Sequence, residues 1–214
     1  MGDTTPGSLG MEAVMADGGT PVTPPSSPIS GIPGPIGLDT GGSSSNAPIT
    51  YTGWPRSITW DEFSPRDSRP SGVQEDAEIK CASSPRWDWS CDGGSCRITS
   101  LTVEARVNQD ESWVVTSRQS DPLLHHEQVH YDIFGLLTRE LNQALVSIRA
   151  RSGSALQTRI AQVRADYQAR IDRLMIQYDN ETVHGTDSAG QRRWDDRISE
   201  SIRNGTNFTA PPTP

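Results

Sequence analysis

Residues 120–150 read SDPLLHHEQVHYDIFGLLTRELNQALVSIRA. Asp121 can cap a helix and Pro122 fits its first turn, so this stretch predicts a helix that begins here. Apolar residues and two histidines then recur at steps of three and four, the spacing of one helix face. The stripe comprises His126, His130, Ile133, Phe134, Leu137, Leu141, Leu145 and Ile148. It indicates that both histidines face the interior of the protein.

The segment HEQVH within this helix matches the His-Glu-x-x-His pattern. Residues four apart on a helix share a face, so His126 and His130 can present two imidazoles to one point. Glu127 lies next to them and can take a proton from a water molecule at a metal ion. We therefore predict that His126 and His130 bind Zn²⁺ and that Glu127 is the catalytic base. The alternative is a pair of buried histidines without a metal.

A second amphipathic helix follows a break at residues 151–153. Its apolar positions alternate at steps of four and three, which favours packing against a partner helix. They are Leu156, Ile160, Val163, Tyr167, Ile171, Leu174 and Tyr178. We expect the two helices to form an antiparallel hairpin about Ser152, which brings the end of the second helix to His126 and His130.

The segment that follows, residues 178–187, reads YDNETVHGTD and contains the one histidine outside residues 125–130. Catalytic zinc takes three protein ligands and one water, so this segment is expected to supply the third ligand. His184 is the first choice, because imidazole is a common zinc ligand. Glu181 is the second choice, and Asp187 and Asp179 follow it.

Short strands are expected before the zinc motif, at residues 49–54 and 57–63. Residues 98–107 alternate strictly between apolar and polar, and the polar residues 108–111 are expected to turn the chain into a partner strand at 112–116. Ser188 can cap a short last helix. The predicted fold is therefore α+β, with a small antiparallel sheet followed by a long antiparallel helix hairpin that carries the zinc motif and by a short C-terminal helix.

The composition predicts disorder at both ends of the chain. Residues 1–48 have no aromatic or basic residue and are rich in Gly, Pro, Ser and Thr, and residues 205–214 form a polar tail. A metallopeptidase domain is expected at residues 49–204. The first residues lack the apolar run of a signal peptide, so we expect a cytoplasmic protein, export by a non-classical route, or a given start that is not the native one.

The composition limits the kinds of partner and metal site that the sequence predicts. The net charge of −8 and the pI near 4.9 predict no nucleic-acid binding, and no stretch is apolar enough to predict a membrane span. The three cysteines lack a Cys-x-x-Cys pair, so a cysteine zinc site is not expected. They are interpreted either as one disulfide, Cys81–Cys96, with Cys91 free, or as three reduced thiols.

The sequence resembles a bacterial family of predicted secreted zinc-dependent proteases long labelled only as a domain of unknown function. The resemblance rests on HEQVHYDI at residues 126–133, on the helix pair, and on YDNETVHG at residues 178–185 followed by Gln191 and Trp194-Asp195. It covers about residues 49–204. It implies zinc at His126 and His130, catalysis by Glu127 and a functional His184.

A zinc metallopeptidase acting on a peptide or protein substrate is the leading hypothesis. One alternative is a non-catalytic or cargo component of a larger assembly or delivery machine, docked to a protein partner through residues 1–48. Another is a zinc hydrolase that cleaves an amide outside proteins, such as cell-wall peptide.

Overall fold

The structure is a computed structural model that describes residues 47–212. Within this range the chain forms two small mixed sheets and three helices, so the α+β class expected from the sequence is confirmed. The strands are β1 (Ile49–Thr52), β2 (Ser64–Arg66), β3 (Ala77–Glu78), β4 (Cys81–Asp92), β5 (Ser95–Val107) and β6 (Trp113–Val115). The helices are α1 (Asp121–Ser147), α2 (Gly153–Thr182) and α3 (Ser188–Asn204).

The larger sheet has the strand order β1-β5-β4. β4 and β5 are antiparallel and are joined at Gly93 and Gly94, whose φ angles of 54° and 76° suit glycine in a tight turn. The predicted hairpin of residues 98–107 with 112–116 is therefore wrong, because β5 pairs with β4 instead. The polar and Pro-containing sequence of β4 hides its strand character, whereas the Gly-Gly turn specifies its register.

The smaller sheet has the strand order β2-β6-β3. In each sheet one pair of strands is parallel: β1 with β5 and β2 with β6. The expectation of a purely antiparallel sheet is therefore wrong. Residues 57–63 also do not form the expected strand, because Trp60–Glu62 is a 3₁₀ turn. The carboxylate of Glu62 binds Arg56 and accepts a hydrogen bond from the backbone N–H of Thr59, which favours this turn.

The starts of α1 and α2 are defined by serine caps, whereas Asp187, not the expected Ser188, caps α3. Ser120 accepts a hydrogen bond from the Leu123 N–H at the start of α1, and Ser152 accepts one from the Ala155 N–H at the start of α2. Asp121, the predicted cap, is thus the first helical residue of α1. α1 packs against β5, α2 and α3. No helix within residues 47–212 combines the length and the apolar character needed to cross a bilayer.

Two groups of buried side chains form the interior. The larger joins α1, α2 and α3 to the smaller sheet and includes Trp54, Phe134, Tyr178, Trp194 and Phe208. The smaller joins β5 to the ends of α1 and α2 that meet at the α1–α2 turn. The candidate ligand residues and the cavity described below lie beside the larger group of buried side chains.

The disulfide pairing differs from the expected one. Cys91 and Cys96 form the disulfide, and Cys81 is free. The two bonded residues are direct partners in the β4–β5 register, with Cα atoms 4.0 Å apart. The pairing thus follows from the Gly93–Gly94 turn, whereas Cys81 lies at the far end of β4, opposite Val107.

The N-terminal arm is predicted at residues 1–48, and all of it except Ala47 and Pro48 lies outside the described residues. The predicted docking of a protein partner falls on this same part of the chain. The C-terminal segment is described as far as residue 212, and it contains a buried side chain where the sequence predicts a disordered tail. Phe208 is 1% exposed, its N–H donates to Glu140, and its carbonyl accepts a hydrogen bond from Arg170.

Candidate functional site

His126 and His130 lie one turn apart on α1, and both are buried. Their ring centroids are 4.8 Å apart. The Nε2 atoms of both rings approach the same carboxylate oxygen, Oδ1 of Asp179 in the last turn of α2, at 3.2 Å from His126 and 2.8 Å from His130. The helical spacing of the histidines and the packing of α2 against α1 together produce this convergence.

His126, His130 and Asp179 form what we call the donor cluster, in which the three possible ligand atoms lie within 4.8 Å of one another. Zinc bonded at 2.0–2.2 Å in tetrahedral geometry separates its ligand atoms by about 3.3–3.6 Å. The distance of 3.2 Å from His126 is close to that separation, and the distance of 2.8 Å from His130 is shorter. Two imidazoles and one carboxylate are also a ligand set that catalytic zinc sites use. The donor cluster therefore has the residue types that could hold a metal ion, zinc among them.

Neighbouring side chains fix the orientation of the two rings. His130 Nδ1 lies 3.1 Å from the sulfur of Met175, and the His126 ring stacks on Tyr178 at 4.7 Å between centroids. Tyr178 is itself held by its hydroxyl, which donates to Gln191 Oε1 at 2.7 Å. α3, which carries Gln191, thus supports the donor cluster through α2.

Glu127 lies beside the donor cluster and is 2% exposed. Its Oε2 accepts a hydrogen bond of 3.0 Å from the backbone N–H of Ile79, just after β3. Burial raises the pKa of Glu127 to about 7, and the nearby His130 offsets part of that effect. A carboxylate with a pKa near neutrality is suited to accept and return a proton.

The donor cluster carries opposing charges. Burial alone would raise the pKa of Asp179, but the positive charge of His130 and the hydrogen bonds from both rings lower it well below the ordinary value. Burial would lower the pKa of His130, yet Asp179 and Glu127 raise it overall. The pKa of His126 is lowered, mainly by burial. The His126 ring is thus biased toward the neutral form that a metal ligand requires.

His184 lies beside the donor cluster rather than within it. Its Nδ1 is 3.9 Å from Asp179 Oδ1 and 3.5 Å from Glu75 Oε1, and its side chain is 45% exposed. The turn that carries it is strained, because Val183 and His184 have φ angles of 50° and 51°. This turn brings Gly185 against His126: a Cβ at Gly185 would lie 3.0 Å from the Cβ and Cγ atoms of His126.

The other ligand candidates have different partners. Glu181 accepts a hydrogen bond of 2.9 Å from the indole of Trp194, and Asp187 caps α3 by accepting from the Ala189 N–H at 2.9 Å. His125, which adjoins the motif, lies 3.0 Å from a carboxylate oxygen of Asp195. His125 and Glu181 thus connect α1 and α2 to α3, and Asp187 begins α3.

Asp179 had the last place among the four candidates for the third ligand. A local signal was available, because Met175 and Asp179 are one helical turn apart and share a face of α2. The end of α2 belongs to the seam with α1, which favours Asp179 over the residues beyond the helix.

A cavity of about 730 Å³ opens onto the donor cluster and Glu127. One wall comes from α1 and α2, and the opposite wall comes from β3 and the residues that flank it. Ligand-binding cavities span roughly 300–1,000 Å³. The cavity is therefore large enough to hold a segment of a substrate against the donor cluster.

Comparison with known proteins identifies a family. A family model described as "Bacterial protein of unknown function (DUF922)" matches residues 59–185, which include β2 to β6, α1, α2 and the donor cluster. Nothing matches among the curated proteins or among the solved structures. The match covers more than half of the 214 residues. The chain therefore belongs to the bacterial DUF922 family, whose function is unknown.

Proposed function

We propose that this protein is a zinc-dependent peptidase in which Glu127 is the general base. One observation carries the proposal: the Nε2 atoms of His126 and His130 and Oδ1 of Asp179 converge next to the buried carboxylate of Glu127. Three ligands and an adjacent base are the parts that a zinc hydrolase requires. The cavity in front of them provides space for the substrate.

The antiparallel helix hairpin is part of this proposal, because it is the arrangement that joins the two halves of the donor set. Its support is the order of the contacts between α1 and α2. Glu140, late in α1, pairs with Arg170, whereas His126, early in α1, pairs with Asp179, late in α2. Contacts that run in opposite directions along two helices are those of an antiparallel pair.

We propose Asp179 as the third ligand in place of His184, which the sequence favours. The distances support this choice, because Asp179 Oδ1 lies within 3.2 Å of both histidine nitrogens. His184 then flanks the exposed side of the donor cluster, where the substrate enters. There its imidazole can contact a substrate carbonyl oxygen without binding the metal.

A zinc ion in the donor cluster would lower the pKa of a water molecule and polarise the scissile carbonyl. Glu127 accepts the proton of the attacking water and returns it to the leaving amine. The hydrogen bond from the Ile79 N–H holds one oxygen of this carboxylate in place. In the metal-free protein, burial raises the pKa of Glu127 to about 7.

The proposed substrate is a peptide, and β3 supports this choice. β3 is an edge strand of its sheet, and it lines the cavity. The Asp76 carbonyl bonds to the Val115 N–H of β6. The backbone groups of the next residue, Ala77, therefore point away from β6, because hydrogen-bonding directions alternate along a strand. An extended peptide can pair with such an edge.

The test is the Glu127→Gln variant. We expect it to bind one zinc ion per chain, as the wild type does, and to lose hydrolysis of a casein or mixed-peptide substrate by at least ~100-fold. Metal content is measured by elemental analysis, and hydrolysis by the release of new amino groups. The exposed Glu111→Gln variant serves as the control. Full activity of Glu127→Gln would overturn the mechanism, and a wild type without zinc would overturn the site.

A further inference from the structure

The wall formed by α1 and α2 extends past the donor cluster in one direction. On α1, Phe134 follows His130 by one turn and lines the cavity. On α2, the lining residues that precede Asp179 are Ile176, Met175, Ile171 and Gln168. At 1.5 Å per residue, Gln168 is about 16 Å from Asp179 along the helix axis. The lining of the cavity therefore continues along the two helices beyond the donor cluster, and we call the part lined by Phe134, Gln168, Ile171 and Met175 the α1–α2 recess.

The α1–α2 recess is apolar. Phe134, Ile171 and Met175 belong to the larger buried group, and each is less than 10% exposed. Ala77 and Ile79, from the strand wall, belong to the same group and line the same cavity. Polar side chains instead gather near the N-terminus of α1, where Arg118 and Arg69 bind Asp76. The recess thus favours apolar substrate groups, and the part of the cavity near the N-terminus of α1 favours polar ones.

Gln168 lies farthest from the donor cluster among the α2 residues that line the cavity. Its amide donates a hydrogen bond of 2.7 Å to Asp172, one turn later on α2. This contact keeps the side chain along the helix. Gln168 is therefore the residue whose size sets the depth of the α1–α2 recess.

We propose that the α1–α2 recess binds one large apolar side chain of the substrate, adjacent to the cleaved bond, and that Gln168 limits its length. The inference rests on the proposed function and names its substrate class: peptides cleaved beside Phe, Leu or Met. An apolar wall that begins at Met175, in contact with His130, adjoins the reacting bond. A charged side chain would lose its hydration against these apolar residues.

The experiment uses purified full-length, zinc-loaded protein and synthetic peptides blocked at both ends. Two series vary one residue as Phe, Leu, Ala or Asp, on the amino side or on the carboxyl side of the cleaved bond. We expect one series to give a kcat/KM at least ~10-fold higher for Phe and Leu than for Ala, and lower still for Asp. Equal rates for Phe and Asp in both series would overturn the inference.

Two variants at Gln168 test the depth. Gln168→Phe shortens the recess, and we expect it to lower the Phe-to-Ala ratio of kcat/KM by at least ~10-fold. Gln168→Ala deepens the recess and is expected to improve cleavage beside Trp. The matched control is Gln162→Phe, because Gln162 makes the same contact with Asp166 at 2.8 Å and does not line the cavity. An unchanged ratio in both Gln168 variants, folded like the wild type, would overturn the role of Gln168.

A binding measurement separates this inference from the proposed function. Fluorescence anisotropy of the labelled Phe, Ala and Asp peptides with the Glu127→Gln variant requires no hydrolysis. Tighter binding of the Phe peptide supports the recess even if the wild type cleaves nothing, and the peptidase proposal would then fail alone. Equal binding of all three peptides would overturn the inference while leaving the peptidase proposal intact.

Discussion

Asp179 is the residue that joins the two histidines of the site, because one of its oxygens approaches both rings. It lies 49 residues after His130, yet one of its oxygens lies 2.8 Å from His130 Nε2. Gly185 has a complementary role, because its φ of 80° and its lack of a side chain allow the turn after α2 to lie against the His126 ring. Both residues act through positions that α2 and its C-terminal turn fix.

The third ligand can be identified by metal affinity. We expect Asp179→Ala to weaken zinc binding by ~100-fold or more, because the cluster loses one of three ligands, and His184→Ala to weaken it by less than ~10-fold. Competition with a chelator of known zinc affinity measures both values. The reverse order would make His184 the third ligand, as the sequence suggests.

The buried carboxylate of Glu127 makes stability depend on pH in the metal-free protein. Its folded-state pKa of about 7 is above the ordinary 4.5, so between these values the folded chain holds a proton that the unfolded chain has released. The free energy of unfolding therefore falls as pH rises through this window, by about 3 kcal/mol when the shift is fully expressed. The Glu127→Gln variant has no carboxyl group at this position, so its free energy of unfolding does not fall for this reason as pH rises.

We therefore expect metal-free Glu127→Gln to exceed the wild type in stability at pH 8 by ~2–3 kcal/mol, with a much smaller difference at pH 4.5. Urea unfolding in the presence of a chelator measures it. Glu104→Gln, on an exposed position of β5, is the control and should show no such pH dependence. A constant difference at both pH values would contradict an elevated pKa.

At the scale of elements, the β4–β5 hairpin shows how a turn can outweigh strand patterning. Gly93 and Gly94 bring Cys91 opposite Cys96, and Cys96 also pairs with Ala150 just before α2. The disulfide thus closes the end of the hairpin that touches the α1–α2 turn. The disulfide is therefore expected to stabilise the hairpin without affecting the donor cluster.

Removing this disulfide should cost moderate stability. The short loop that it closes corresponds to about 2 kcal/mol of chain entropy in the unfolded state. We expect the Cys91→Ser/Cys96→Ser double variant to lose about that much in urea unfolding while zinc content stays unchanged. Wild type treated with reductant should match the double variant, and reductant should not alter the double variant. Equal stability of oxidised and reduced wild type would argue against the bond.

At the scale of the whole molecule, the C-terminal segment ties the three helices together. Phe208 contacts the Trp194 ring of α3 at 5.9 Å between centroids, and its backbone bonds to Glu140 of α1 and Arg170 of α2. Trp194 in turn lies against Tyr178, on which the His126 ring stacks. A chain of packed rings therefore runs from the C-terminal segment to the donor cluster.

Phe208→Ala should destabilise the protein by ~3–5 kcal/mol, the range for truncating a buried phenylalanine. Thermal or urea unfolding measures the loss, and the exposed Thr209→Ala is the control, expected to stay within ~0.5 kcal/mol of the wild type. Equal stability of the two variants would support the disordered tail that the composition predicts.

The sequence alone determined the α+β class, the three helices and the positions of His126, Glu127 and His130 on one of them, because helical periodicity is a local property that a short window records. The tertiary structure decided which strands pair, which cysteines bond and which carboxylate reaches the histidines. The disulfide and the β4–β5 pairing join neighbouring residues across one turn, whereas Asp179 lies 49 residues after His130. The partner of β5 was set by a Gly-Gly turn. The partner of His130 was set by how α2 packs against α1, and the sequence marks only that Asp179 shares a helix face with Met175.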